Sequence, residues 1–310
     1  MTLGYDKPLY LMAFDHRGSF EKDLFGASEP VPPDVRDGII KVKEIIFDAY
    51  MRALAEGAPR DVCGVLVDEE FGTGVARRAK SERAVLAMPV EKSGQEEFEF
   101  QYGDDFGAHI EAFDPTFTKV LVRYNPDGDP ELNRRQTERL AVLSHWLRDH
   151  DRKFLFELLV PATKSQLDRF SGDQRAYDRE LRPDLVVATI SALQAGGVEP
   201  DIWKIEGLDN PASCQAVVAQ AQAEGRAEVK CIVLGRGADE PQVIEWVKIG
   251  AGVDGFDGFA VGRTLWEDAL KKHLAGQASR YEAVDEISAR YLDVIHAYRR
   301  AEPAYKRGQE

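Results

Sequence analysis

A lysine set in the middle of an apolar run calls for a chemical reason. In 201–207, "DIWKIEG", Lys204 lies among Ile202, Trp203 and Ile205, and an ammonium is costly to bury unless it is paired or used. Strand alternation puts Ile202, Lys204 and Glu206 on one face and Trp203 and Ile205 on the other. The large apolar pair suits a helix-covered outer surface, which turns Lys204 inward. An amine that is poorly solvated and close to other cations becomes nucleophilic near neutral pH and can form a Schiff base with a ketone. The competing role for Lys204 is a structural ion pair with Glu157 or Glu206.

Other charged residues lie within or at the ends of neighbouring apolar runs. Lys119 and Arg123 share one face of 118–124, and Glu157 lies in 153–160. Lys119 is expected to be the extra cation that tunes Lys204, and Glu157 to move protons as a carbinolamine forms and dehydrates. Asp15, in "AFDHRGSF", would hold substrate hydroxyls or act as a base. His16 is an alternative acid or base, and Arg17 and Glu206 join the substrate-facing set. In "LGRGAD" and "GFAVGRT", Gly235, Arg236, Gly237, Gly262 and Arg263 stand where strand gives way to helix. Backbone amides and a helix N-terminus there would receive an anion, with the arginines adding charge-assisted bonds. Of six histidines only His16 is at a strand end, so a multi-histidine zinc site is not expected. A carboxylate Mg²⁺ site on Asp68, Glu69 or Glu91 stays open as the chemical competitor.

These residues need elements to hold them. Eight apolar runs occur at 9–15, 63–69, 84–90, 118–124, 153–160, 201–207, 230–236 and 258–264. They are continuous rather than alternating, as parallel strands covered on both faces are. Between them, 33–57, 130–150, 184–195, 212–225, 240–250 and 265–275 read as helices, 72–83 as a weaker one, and 281–300 as an added terminal helix. Strand–helix alternation with eight strands predicts a single (β/α)₈ TIM barrel over residues 1–310, with its chemistry at the C-terminal strand ends. The loop 17–33 is long and is expected to be a mobile flap. The helix 281–300 could pack on the barrel or make a homo-oligomer contact.

Composition narrows the partners. With 40 Lys+Arg against 54 Asp+Glu the net charge is −14, which disfavours nucleic acid. Cys63, Cys214 and Cys231 form no Cys-x-x-Cys pattern, so neither a disulfide framework nor a structural zinc is indicated. No leader pattern and no apolar run of about 18 residues is present. A cytoplasmic enzyme without a cofactor is the expectation.

Four stretches, "LYLMAFDHRGSF", "PDIWKIEGLD", "CIVLGRGAD" and "GFAVGRTLW", resemble the aldolase-like domain fused behind a sugar kinase in some bacterial inositol-catabolism proteins. That domain is assigned to 5-dehydro-2-deoxy-6-phosphogluconate aldolase, and the similarity runs along essentially the whole chain. More distantly the pattern is similar to class I tagatose 1,6-bisphosphate and sulfofructose-phosphate aldolases. The resemblance implies a metal-independent Schiff-base aldolase with Asp15, Lys119, Glu157 and Lys204 as its catalytic set, and a phosphate site at the last two strands with Arg263. The substrate it implies is 5-dehydro-2-deoxygluconate 6-phosphate, split to glycerone phosphate and malonate semialdehyde. Two departures stand out. The kinase domain is absent from these residues, and Arg123 occupies a position where the distant aldolases lack an arginine; it would read a carboxylate or a second anion. Other ketose phosphates, or binding without catalysis, are the alternatives.

Overall fold

The computed structural model describes residues 2–27 and 30–303. Eight parallel strands close a barrel in chain order: β1 (Leu9–Ala13), β2 (Cys63–Leu66), β3 (Val85–Pro89), β4 (Phe117–Arg123), β5 (Lys153–Leu159), β6 (Ile202–Glu206), β7 (Lys230–Leu234) and β8 (Phe256–Val261). The strands read as continuous apolar runs because both faces are covered. Leu9, Leu11, Leu66, Phe117, Leu155, Ile202 and Ile232 fill the inside, while Trp203 and Ile205 belong to the shell between barrel and helices. The alternation expected in "DIWKIEG" is therefore the one observed. Glu157 is the register partner of Lys204, so the two side chains leave adjacent strands on the same inward face.

The helices begin where their caps are. Asp68 accepts from the Phe71 amide and starts α2 (Glu69–Ser81), giving the weaker expected helix a firm N-terminus three residues early. Helices α1 (Pro33–Ala55) and α4 (Pro130–Asp149) follow the apolar spacing closely. Three short helices had no clear sequence signal: α3 (Phe106–Phe113), α5 (Lys164–Arg169) and α6 (Gln174–Glu180). Then come α7 (Arg182–Ala195), α8 (Pro211–Ala221), α9 (Glu240–Ala251) and α10 (Arg263–Leu274).

The terminal helix α11 (Arg280–Ala301) packs against α1, α9 and α10. From it the buried Tyr291 and Tyr298 hydroxyls donate to the carbonyls of Tyr10 and Phe256, each at 2.7 Å. This helix covers the seam where β8 meets β1. Among the described residues no helix is long and apolar enough to cross a membrane.

The expected flap after β1 is instead packed over its first part. Residues Phe20–Leu24 form one π-helical turn, and Phe20 is fully buried, stacked on Trp266 at 4.7 Å. An aromatic ring buried that way anchors the segment; residues 28–29 of this loop lie outside the described ones.

Candidate active site

At the C-terminal mouth, Lys119 of β4 is the centre of the charge arrangement. Its ammonium lies 2.8 Å from Asp15 Oδ2, 2.8 Å from Glu91 Oε1 and 3.0 Å from Glu157 Oε2. The same Glu157 oxygen lies 2.9 Å from Lys204 Nζ, so the two ammonium groups are at most about 6 Å apart. All five side chains are nearly inaccessible. The sequence-predicted set Asp15, Lys119, Glu157 and Lys204 is thus brought together, with Glu91 added to it.

Burial opposes the charge on Lys119, yet Asp15, Glu157 and Glu91 together hold it above the ordinary lysine range. Burial likewise pulls Asp15 and Glu157 upward, and Lys119 above all reverses this, leaving both below ordinary carboxylate values. Glu91 differs: burial outweighs Lys119 and Arg17, and its carboxyl is raised. The His16 imidazole is brought down to about 4 by burial of most of its ring, against the opposing pull of Asp15. The His16 Nδ1 lies 3.9 Å from Asp15 Oδ1, too far for a hydrogen bond.

Two lobes open onto this cluster. One, of about 350 Å³, is lined by Lys204, Glu157, Arg123, Gly235, Arg236, Gly237, Gly262 and Arg263. The other, of about 330 Å³, is lined by Asp15, Arg17, Lys22, Glu91, Lys92, Gln95 and Lys119. His16, Ser19, Leu121, Arg123 and Glu157 border both.

The first lobe has the build of an anion cradle. Gly262 is the N-cap of α10 and offers no side-chain bond to the first turn; its carbonyl takes the Leu265 amide at 2.8 Å, so the amides of Arg263 and Thr264 are the ones an acceptor could meet. A Cβ at Gly262 would sit 2.6 Å from the Ala13 carbonyl oxygen. Gly237 has φ +68°, and a Cβ there would lie 2.3 Å from Nη2 of Arg263, so only glycine lets that guanidinium lie across the loop. Thr264 donates to the Ala238 carbonyl at 2.7 Å and ties the β7 and β8 loops together. Arg263 Nε is buried without a partner among the described residues.

Arg236 and Glu206 are less free than the sequence suggested. Arg236 binds Glu206 Oε1 at 2.9 Å and Asp178 Oδ2 at 2.6 Å, and Glu206 Oε2 accepts from the Val160 amide at 3.0 Å. These bonds brace the β7 loop against α6, although both residues still line the cavity. In the second lobe, Arg17 Nη2 donates to the Glu91 carbonyl and Arg123 Nη1 to the Gln95 carbonyl, both at 2.9 Å. Asp68 and Glu69 point elsewhere: Asp68 to Lys43 and the α2 cap, Glu69 to His109 at 2.9 Å. Among the described residues no three His, Cys, Asp or Glu side chains are gathered as a metal site.

Lys43 is a positioning residue that sequence reading missed. It comes from α1 with no exposed surface, binds Asp68, and donates to the carbonyls of Phe14 at 2.7 Å and His16 at 3.0 Å. Its signal was available, since it shares the helical stripe of Ile39, Ile46 and Tyr50. Lys43→Met is expected to cost about 3–5 kcal/mol, because Asp68 and two carbonyls lose a buried partner. Urea unfolding checks it; a loss below about 1 kcal/mol would place this lysine outside the framework of the site.

The barrel has relatives among solved structures. A Schiff base-forming fructose-1,6-bisphosphate aldolase matches with TM-score 0.54 at 16% identity, over 87% of this chain and 93% of that one. An archaeal fructose 1,6-bisphosphate aldolase gives 0.54 at 14% identity, covering 92% of this chain and 94% of the other. Fructose-bisphosphate aldolase from Plasmodium falciparum gives 0.61 at 13% identity, over 96% and 92%. At such identities the likeness is one of fold. No curated protein matches the sequence. The family profile of uncharacterized proteins conserved in bacteria, DUF2090, matches residues 4–302, and the chain belongs to that family.

Proposed function

We propose that this barrel is a class I aldolase that cleaves a ketose phosphate through a Schiff base on Lys204. The observation that carries the reading is the placement of Lys204, paired with Glu157 at 2.9 Å and lining the same cavity as the glycine loops of β7 and β8. Glu157 is within reach to take a proton from the Lys204 ammonium, which frees the amine to attack the ketone. It can then return the proton to the carbinolamine hydroxyl as water departs. The resulting iminium draws in the electron pair of the breaking carbon–carbon bond, so the proposed reaction needs no metal. Hydrolysis of the iminium afterwards releases the ketone product. Lys119 keeps Asp15 and Glu157 ionised around the amine. The phosphate sits at the N-terminus of α10 with Gly235, Gly237 and Arg263.

The favoured substrate is 5-dehydro-2-deoxy-D-gluconate 6-phosphate, giving glycerone phosphate and malonate semialdehyde. The four motif stretches support it, and so does a second lobe with Arg17 and Arg123 in its walls, suited to a carboxylate. The same lobe, with Lys22 and Lys92 on its rim, would also suit a second phosphate, which favours tagatose 1,6-bisphosphate as the next candidate. Borohydride reduction in the presence of each of these two substrates, of a sulfofructose phosphate and of glycerone phosphate, followed by peptide mass spectrometry, is expected to mark Lys204. Absence of any adduct at Lys204 would overturn the Schiff-base reading and leave a barrel that binds without catalysis. Activity is expected to survive exhaustive chelation; its loss would point to a metal-dependent lyase.

A further inference from the structure

Glu91 is a carboxyl of the site to which the scheme above gives no step. It follows β3 and is fixed by its backbone. Its residue pairs with Phe100 in an antiparallel bridge, Lys92 N donates to Glu99 O and Gln101 N to Val90 O, both at 2.9 Å, and Arg17 holds its carbonyl. The side chain is 6% exposed. Oε1 accepts from Lys119 at 2.8 Å, whereas Oε2 is buried without a partner among the described residues, in a side chain that lines the second lobe. A purely structural carboxylate in such a place would have both oxygens bonded, because an open buried acceptor is costly.

The position of Glu91 relative to Lys204 matters as much. Contacts run from Lys204 to Glu157, from Glu157 to Lys119 and from Lys119 to Glu91. Glu157 therefore serves the nitrogen, and Glu91 lies at the far end of the chain of contacts. In carbon–carbon cleavage the hydroxyl that must lose its proton is carried two carbons beyond the iminium carbon. If the phosphate of the ketone half takes the β7–β8 loops, the second lobe is the space left for that hydroxyl and the departing aldehyde.

We propose that Glu91 is the base that takes this hydroxyl proton on cleavage and returns it in the reverse, carbon–carbon-forming direction; the proposal rests on the Schiff-base reading. The hydroxyl proton passes to Oε2 and the oxygen's electrons form the aldehyde carbonyl. The carbon–carbon pair moves into the iminium to give an enamine, and the aldehyde leaves. The enamine carbon takes up one proton, which balances the one that Glu91 gains and then gives up, and hydrolysis of the iminium returns the water lost when it formed. Proton affinity separates Glu91 from Asp15 in the same sense: burial raises the Glu91 carboxyl against Lys119 and Arg17, with Asp15 adding to the rise, while Asp15 is held low.

Glu91→Gln tests the assignment, since the amide oxygen can still accept from Lys119. Borohydride trapping of glycerone phosphate on Lys204 is expected to stay within about threefold of the unmodified enzyme, while synthesis from glycerone phosphate and malonate semialdehyde, or glyceraldehyde 3-phosphate, falls roughly 10²–10⁴-fold. Synthesis within about tenfold of the unmodified enzyme would overturn the role, and so would equal loss of trapping and synthesis, which a merely structural side chain would produce. The same split in Asp15→Asn but not in Glu91→Gln would move the role to Asp15. If Glu91→Gln does not fold, Glu91→Asp, with its carboxylate drawn back by one methylene, must show the split. No trapping in the unmodified enzyme removes the Schiff-base reading and this role together, whereas trapping with unchanged synthesis removes this role alone.

Discussion

Replacing Lys204 by methionine is expected to abolish turnover while leaving the barrel standing. The variant has no amine to condense with a ketone, so kcat/KM should fall on the order of 10³-fold or more, at least about 4 kcal/mol of transition-state stabilisation. Stability should barely move. Glu157 Oε2 still has Lys119 at 3.0 Å, and the methionine chain fills much of the space left by the lysine, so a change within about 1 kcal/mol is expected. Steady-state assays beside urea unfolding measure both. Activity retained at a tenth of the unmodified level would rule out Lys204 as the nucleophile.

Lys119→Met should do the reverse, damaging stability and activity together. It would leave Asp15, Glu91 and Glu157 facing one another without the cation that all three bind. Breaking a buried pair of this kind costs about 3–5 kcal/mol. The sign of the pH dependence makes the test specific. In the unmodified protein Asp15 and Glu157 are held below their ordinary values. They contribute stability above the unfolded carboxylate pKa of about 4, lost only as pH falls through the folded values. Without Lys119, crowding and burial would raise these carboxyls. A raised carboxyl contributes stability below the unfolded pKa and loses it as pH rises. The deficit of Lys119→Met should therefore be larger at pH 8 than at pH 5 by urea unfolding, and the acid limb of any residual activity should move to higher pH. An equal or smaller deficit at pH 8 would mean that another group neutralises the cluster.

Much of this was legible in the sequence, for reasons that can be named. Lys204 and Lys119 interrupt apolar runs, and a strand that tolerates a cation announces a partner or a purpose. The alternation around Trp203 is enough to turn the amine inward. The β7 and β8 glycines marked a close approach of loop and neighbour, because a side chain at Gly237 or Gly262 would collide with Arg263 or the Ala13 carbonyl. What stayed hidden depended on partners remote in sequence. Asp68, Glu69 and Glu91 look alike as carboxylates at strand ends. Only the folded chain sorts them: one goes down to Lys43, one out to His109 and one in to Lys119. Arg236 read as an anion binder because its brace, Asp178, sits on a short polar helix without an apolar stripe. The segment after β1 read as a flap because a single buried ring, Phe20, is too little pattern to register.

The Lys43 staple has a consequence for how the site meets a ligand. By holding the carbonyls of Phe14 and His16 it immobilises the backbone on both sides of Asp15. Arg236, fastened to Asp178 and Glu206, does the same for the rim across the mouth. The segments held this way need no further ordering when a ligand arrives, so they add little to the conformational entropy cost of binding. On these two opposite sides the wall is set before a guest arrives, and any reshaping on binding must come from the rest of the rim.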